Sequence, residues 1–145
     1  MTQEDKDLLL QDLCGRIPYE VKCEVYDRIG ILDEISSYGA AVNYSNGEDT
    51  TCKVECVKPY LFPLSSMNEE DKKELDKKFN VIVIYGNNIL ILYDSQGYWD
   101  RDLEVDFQDW LWLINWLNKN HFDYRGLIEK GLALDATGLN IYIKI

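Results

Sequence analysis

Residues 19–58 read YEVKCEVYDRIGILDEISSYGAAVNYSNGEDTTCKVECVK, and this stretch decides the fold class. Apolar and polar residues alternate in the segments VKCEVY, IGILDEIS, AAVNYS and TTCKVECVK, with short polar turns such as Asn46–Asp49 between them. Alternation with a period of two places the apolar side chains on one face, which is typical of half-buried strands. Four such strands, joined by short turns, predict an antiparallel meander or a small SH3-like barrel.

Two helices are predicted on either side of these strands. The first covers residues 4–15, because Thr2 is a good N-cap and leucines follow at helical spacing. The second is a charged connector helix over 67–78, which the capping box Ser66-x-x-Glu69 would begin. Acids and lysines alternate along this connector, which is typical of a solvated helix face.

A third helix is predicted over 107–119 and contains three of the four tryptophans. At 100° per residue its broad apolar face consists of Phe107, Trp110, Leu111, Ile114 and Leu117. We therefore expect Trp110 and Ile114 in the core, where truncation to alanine would cost about 3–5 and 2–5 kcal/mol respectively.

The remaining strands are predicted from apolar runs. VIVIYGNNILILY predicts a hairpin over 81–93 whose two strands are apolar on both faces and therefore central. YWDRDLEVDF (98–107) and the terminal LNIYIKI (139–145) are two further candidate strands. Together the elements predict a single α+β domain over residues 1–145.

Composition excludes several classes of partner. The chain has 26 acidic and 15 basic side chains, a formal net charge of −11 and a pI near 4.4. Phosphate backbones and anionic membrane surfaces would repel such a protein. The start MTQEDKDLLL carries acids where a signal peptide needs basic residues, so we expect a soluble, cytoplasmic protein with neither nucleic acid nor membrane as a direct partner.

The cysteines and the single histidine give little support for a metal site or an enzyme. Cys14, Cys23, Cys52 and Cys56 contain no C-x-x-C pair, and on one continuous strand Cys52 and Cys56 would lie about 13 Å apart. One zinc ion cannot bridge that separation unless the strand breaks. His121 is accompanied by no G-x-S-x-G, P-loop or G-x-G-x-x-G motif. We expect reduced thiols, no metal, no cofactor and no enzyme activity.

Four acids recur at every second residue near the third helix. Asp100, Asp102, Glu104 and Asp106 would share one face of a strand. Apolar residues occupy the glycine and bidentate-acid positions of an EF-hand loop, so this face is not a calcium site. It is either a solvated polar face or an acidic patch that binds a basic partner.

Trp112 is the anomaly of the third helix. It falls with Gln108, Asn115 and Lys119 on the polar side of the helical wheel. Either the terminal segment LNIYIKI covers its ring, or the ring anchors another molecule, since tryptophan is enriched in interface hot spots. A homodimer through this face is one form of the second alternative.

The stretch HFDYRGLIEKGLALD (121–135) resembles the ending of a family of small uncharacterised acidic proteins from gut anaerobes and their prophages. The start DKDLLLQDLCGRIPYEVK and the middle VECVKPYLFPLSSMNEEDKKEL are similar to the same family. The resemblance implies a phage or mobile-element setting and transfers no catalytic residue. A hydrogen-bonded hinge between helix and turn would explain its polar members, His121, Asp123 and Arg125.

Three functions follow as hypotheses. The first is a non-enzymatic interaction protein that binds a host or phage protein through residues such as Trp112 and the acidic face. The second is an anti-restriction or anti-defence protein whose acids mimic DNA. The third is a small enzyme in which His121 acts as general acid or base, oriented by Asp123 or another carboxylate.

Overall fold

The computed structural model describes residues 1–79, 81–85, 88–92 and 107–142 and is a mixed α+β structure, as predicted. Its three helices are α1 (Gln3–Arg16), α2 (Glu69–Phe79) and α3 (Phe107–Lys119). Its strands are β1 (Lys22–Val25), β2 (Arg28–Ser36), β3 (Gly39–Tyr44), β4 (Asp49–Cys52), β5 (Lys58–Pro63), β6 (Val81–Tyr85), β7 (Asn88–Leu92), β8 (Phe122–Asp123) and β9 (Leu134–Asp135).

The strands β1 to β4 form the predicted antiparallel meander within a seven-stranded sheet. The order is β4-β3-β2-β1-β5-β8, and β9 also pairs with β5. The β1–β2 turn has left-handed backbone at Tyr26 (φ 51°) and Asp27 (φ 62°), as a two-residue hairpin requires. A bulge between Leu32 and Glu34 bends β2.

The prediction of an SH3-like barrel is wrong, because the sheet does not close. TTCKVECVK is not one strand: β4 ends at Cys52, and Val54–Cys56 form a 3₁₀ turn. The following strand, β5, pairs with β1 instead of continuing from β4. The break also removes the separation argument against Cys52 and Cys56 sharing one ion.

The helix α1 covers the meander and buries an ion pair. Thr2 caps the helix through a bond from Asp5 N–H at 3.1 Å, and Leu9 and Leu13 are fully buried in a cluster with the sheet residues. On the same helix Asp12 and Arg16 are both 0% exposed and make a two-bond pair at 2.7 and 3.0 Å. The sequence analysis did not predict this buried pair.

A second hydrophobic cluster joins α2, α3 and β8. It contains Leu64, Met67, Leu75, Leu113, Trp116, Leu117 and Phe122. The predicted core face of α3 is therefore only partly right. Leu117 is buried as predicted, but Phe107, Trp110 and Leu111 are 72%, 46% and 43% exposed. Leu113 and Trp116, which were not predicted on that face, are buried. Ile114 is half-buried against the cluster. The helix is apolar on most of its circumference, so its own periodicity did not fix the buried side.

Three smaller predictions also need correction. The residue that caps α2 is Asn68, not Ser66. Asn68 Oδ1 accepts from the backbone N–H of Asp71 at 2.8 Å, and Asp71 Oδ2 accepts from the backbone N–H of Asn68 at 3.2 Å. The hairpin β6–β7 exists but forms a separate two-stranded sheet and is not central in the large one. Residues 139–142 are not a strand. The predicted strand over 98–107 falls almost entirely outside the described residues.

Candidate functional site

A cleft of about 640 Å³ lies between α2, the end of α3 and the start of the meander. Its walls come from the turn before β1, the strands β1, β2 and β5, the helices α2 and α3 with the residues that follow α3, and the C-terminal segment. Its lining residues are Tyr19, Glu20, Lys22, Ile31, Phe62, Glu70, Asp71, Glu74, Trp116, Lys119, Asn120, His121, Ile141 and Tyr142. This volume lies in the range of sites that take small molecules or side chains of a partner.

The cleft carries an excess of negative charge. Among the described residues four carboxylates line it against two ammonium groups, and three of the carboxylates, Glu70, Asp71 and Glu74, come from α2. Glu70 and Glu74 are four residues apart and therefore share one helix face. With a neutral histidine the described part of the lining has a formal excess of two negative charges. The wall formed by α2 is thus suited to a cationic group.

Trp116 holds one of these carboxylates in place. Its indole Nε1–H donates to Glu74 Oε2 at 2.8 Å. The indole lies nearly parallel to the rings of Trp112 and Phe122, with centroids 6.5 and 5.7 Å away. Because the indole is fixed by packing, its bond orients the Glu74 carboxylate before any ligand arrives.

His121 also lines the cleft, and its ring is stacked on that of Tyr142. The two ring centroids are 3.7 Å apart at an interplanar angle of 14°. Burial, with the nearby positive charges of Arg16 and Lys22, lowers the pKa of His121 to about 4. The imidazole is therefore neutral at pH 7, and its Nδ1 is buried without a hydrogen-bond partner among the described residues.

Tyr142 ties the C-terminal segment to the sheet where β1 and β5 separate. These strands pair only through Cys23–Pro59 and Glu24–Lys58. Beyond that point Tyr142 Oη accepts from Lys22 N–H and donates to Tyr60 C=O, each at 2.8 Å. Burial raises the pKa of Tyr142 above its ordinary range, so the phenol stays protonated. The Tyr142 hydroxyl thus bridges β1 and β5 where the two strands no longer pair directly. Tyr142 lines the cleft at this point.

Asp123 and Arg125, two of the predicted site residues, hold the local structure together. Asp123 is 3% exposed and accepts from the backbone N–H of Leu127 and Ile128, both at 3.0 Å. Arg125 Nε lies 3.4 Å from Asp12 Oδ1, although the geometry is not that of a hydrogen bond. Both side chains organise the turn after α3, and neither lines the cleft.

Trp112 is half-buried, and residues 143–145 of the segment expected to cover it lie outside the described residues. The Lys78 ammonium lies 5.7 Å from the Trp112 ring centroid, so α2 covers part of the ring. The described part of the C-terminal segment packs instead on Phe62 and His121 through Tyr142. The other predicted binding residues, Asp100, Asp102 and Glu104, lie outside the described residues.

The cysteines give no sign of a metal centre in the part of the chain that is described. All four are free, and no group of three potential ligands among the described residues is arranged to hold an ion. Burial raises the pKa of the Cys23 and Cys52 thiols, which disfavours the thiolate forms that bind metals. Among the helices described, none has the length and apolar character that crossing a membrane requires.

Sequence reasoning missed most of the cleft. Glu70 and Glu74 belong to a charge run interpreted as a solvated face, and Tyr142 to a presumed strand. The spacing of the two glutamates was the one available signal, but it does not reveal which helix face meets the sheet. Among the predicted site residues that the structure describes, only His121 lines the cleft.

Comparison with known proteins does not assign the chain to a family. No protein-family model matches the chain, and neither a curated protein nor a solved structure matches it. The similarity of residues 121–135 to a family of small acidic proteins from gut anaerobes and their prophages therefore stays a prediction.

Proposed function

We propose that this protein is a non-enzymatic interaction protein that binds a basic segment of a host or phage protein in the cleft. The phage or mobile-element setting and the cytoplasmic location come from the sequence alone. The observation that carries the proposal is the combination of an acidic wall on α2 with an aromatic wall at His121 and Tyr142. Acids attract a basic segment, and aromatic rings contact its aliphatic and cationic parts.

A random peptide library displayed on phage tests this function. We expect the wild-type protein to enrich peptides of net positive charge. The double variant Glu70→Gln/Glu74→Gln should lose this enrichment, because it removes two cleft charges. The matched control Glu69→Gln/Asp76→Asn removes two charges from the same helix outside the cleft and should keep it. Equal behaviour of the two double variants, or no enrichment by the wild type, contradicts the proposal.

DNA mimicry receives less support from the described charges. Phosphate mimicry needs an unbroken row of negative charge, whereas the carboxylates of α2 alternate with lysines. Lys72 lies 3.8 Å from Glu69, and Lys78 lies 3.3 Å from Asp109 of α3. These ion pairs interrupt any continuous acidic row along this helix.

An enzyme that uses His121 is the second candidate, favoured by the neutral imidazole in the wall of the cleft. A neutral imidazole has the protonation state of a general base at pH 7. A hydrolytic activity on nitrophenyl esters that disappears in His121→Asn would support it. Equal rates for the wild type and the variant would eliminate it.

Self-association through the Trp112 side of α3 stays a separate prediction. Sedimentation velocity of the wild type and of Trp112→Ala measures it directly. A dimer that dissociates in the variant supports a homodimer through this face, and a monomeric wild type excludes it at the concentration used.

A further inference from the structure

We propose that the α2 wall of the cleft recognises an arginine side chain of the partner in preference to lysine. This inference rests on the proposed function, because it specifies which basic residue enters the cleft. Glu70 and Glu74 would accept the guanidinium, and the aromatic lining would contact its flat faces. The occupant is therefore an arginine-containing segment of a protein partner.

The orientation of Glu74 favours a guanidinium. Its side chain is exposed, but its Oε2 already accepts from Trp116 Nε1–H at 2.8 Å, and this bond restricts how the carboxylate can turn. A guanidinium presents several N–H groups in one rigid plane, which suits a carboxylate held in a defined orientation. Glu70, one helical turn away on the same face, offers further acceptor oxygens to the remaining N–H groups. An ammonium group has no fixed plane with which to use this arrangement.

The partly enclosed, aromatic character of the cleft also favours a guanidinium. Tyr19, Phe62, His121 and Tyr142 line it together with the acids. Guanidinium is more weakly hydrated than ammonium and stacks on aromatic faces, so its transfer from water into such a site costs less. The volume of about 640 Å³ leaves room for residues next to the arginine.

Three synthetic alanine octapeptides, acetylated and amidated, test the preference. They carry two arginines, two lysines or two glutamates and are titrated into the intact protein by calorimetry and tryptophan fluorescence. We expect the arginine peptide to bind at least about fivefold more tightly than the lysine peptide, which is close to 1 kcal/mol. The glutamate peptide should not bind.

Two single-charge variants show whether the cleft is responsible. Glu74→Gln retains an acceptor for Trp116 and should weaken arginine binding about fivefold or more. Asp76→Asn makes the same charge change on α2 outside the cleft and should leave the affinity unchanged. Circular dichroism confirms that both variants are folded.

The outcomes separate this inference from the proposed function. If both basic peptides bind equally and both are weakened by Glu74→Gln, the basic-segment function stands and the arginine preference is wrong. If Glu74→Gln and Asp76→Asn act alike, binding is unspecific attraction to a charged surface and both claims fail. If neither basic peptide binds more tightly than the glutamate peptide, both claims also fail.

Discussion

Tyr142→Phe isolates the hydroxyl that bridges β1 and β5. The phenyl ring keeps the stacking on His121 and Phe62, so only Oη is lost. Lys22 N–H then loses its acceptor and Tyr60 C=O loses its donor, each from a bond of 2.8 Å. An unsatisfied buried group costs about 1–3 kcal/mol. Because Tyr142 is only partly buried, water can reach part of this site, and we expect a loss of about 2 kcal/mol in total.

Urea unfolding followed by circular dichroism and tryptophan fluorescence measures this loss. The midpoint should fall while the slope stays constant, since the surface exposed on unfolding is unchanged. Tyr19→Phe is the matched control, because Tyr19 also lines the cleft but its hydroxyl bridges no strands; it should stay within about 0.5 kcal/mol. A Tyr142→Phe variant as stable as the control would refute the account of how the C-terminal segment is held.

Three further predictions concern the rest of the fold. Asp12→Asn should cost about 3–5 kcal/mol in urea unfolding, because it leaves the fully buried Arg16 charge without its carboxylate; a loss below about 1 kcal/mol would contradict this. The pKa of His121 is lowered from 6.5 to about 4 in the folded state, so the unfolded chain binds the proton more readily. Stability should therefore fall by up to roughly 3 kcal/mol as the pH drops from 6.5 to 4, and this slope should be reduced in His121→Asn; equal slopes would show that another group is responsible. Leu113→Ala should cost about 2–5 kcal/mol and Trp110→Ala about 1 kcal/mol or less, and the reverse order would restore the helical-wheel interpretation of α3.

Local elements of the fold were predictable because their signals are local. The helix over 107–119, the N-terminal helix and the meander follow from residue periodicity and from capping or turn residues close in sequence. The open sheet, in place of a closed barrel, was not predictable in this way. It depends on the end of the expected strand before Lys53 and on the pairing of β5 with β1, which is distant in sequence.

The sequence could not predict which side of α3 is buried, for a related reason. Its sequence places apolar residues on nearly all sides, so the buried face is chosen by α2 and β8 and not by the helix itself. Trp110 was expected in the core and is 46% exposed, whereas Trp116 is buried. Packing of elements distant in sequence decided between two nearly equivalent faces.

The candidate site was even less predictable from the sequence, because its residues are distant from one another along the chain. His121 stood out as the only histidine, but its partner in the cleft, Tyr142, is 21 positions away in a segment expected to be a strand. Glu74 looked like one of many exposed acids until the structure placed it beside the Trp116 indole. Identity and spacing suggested the chemistry of single residues, and only the tertiary fold brings them together.

The indole N–H resonances of the four tryptophans provide the most direct test of the cleft as a binding site. In a ¹⁵N–¹H correlation spectrum the Trp116 signal, assigned with Trp116→Phe, reports on the bond to Glu74, and the Trp110 signal reports on the exposed side of α3. On addition of the arginine peptide the account predicts a saturable shift of the Trp116 signal and an unchanged Trp110 signal. A titration in which Trp110 shifts and Trp116 does not would place binding elsewhere and contradict the account.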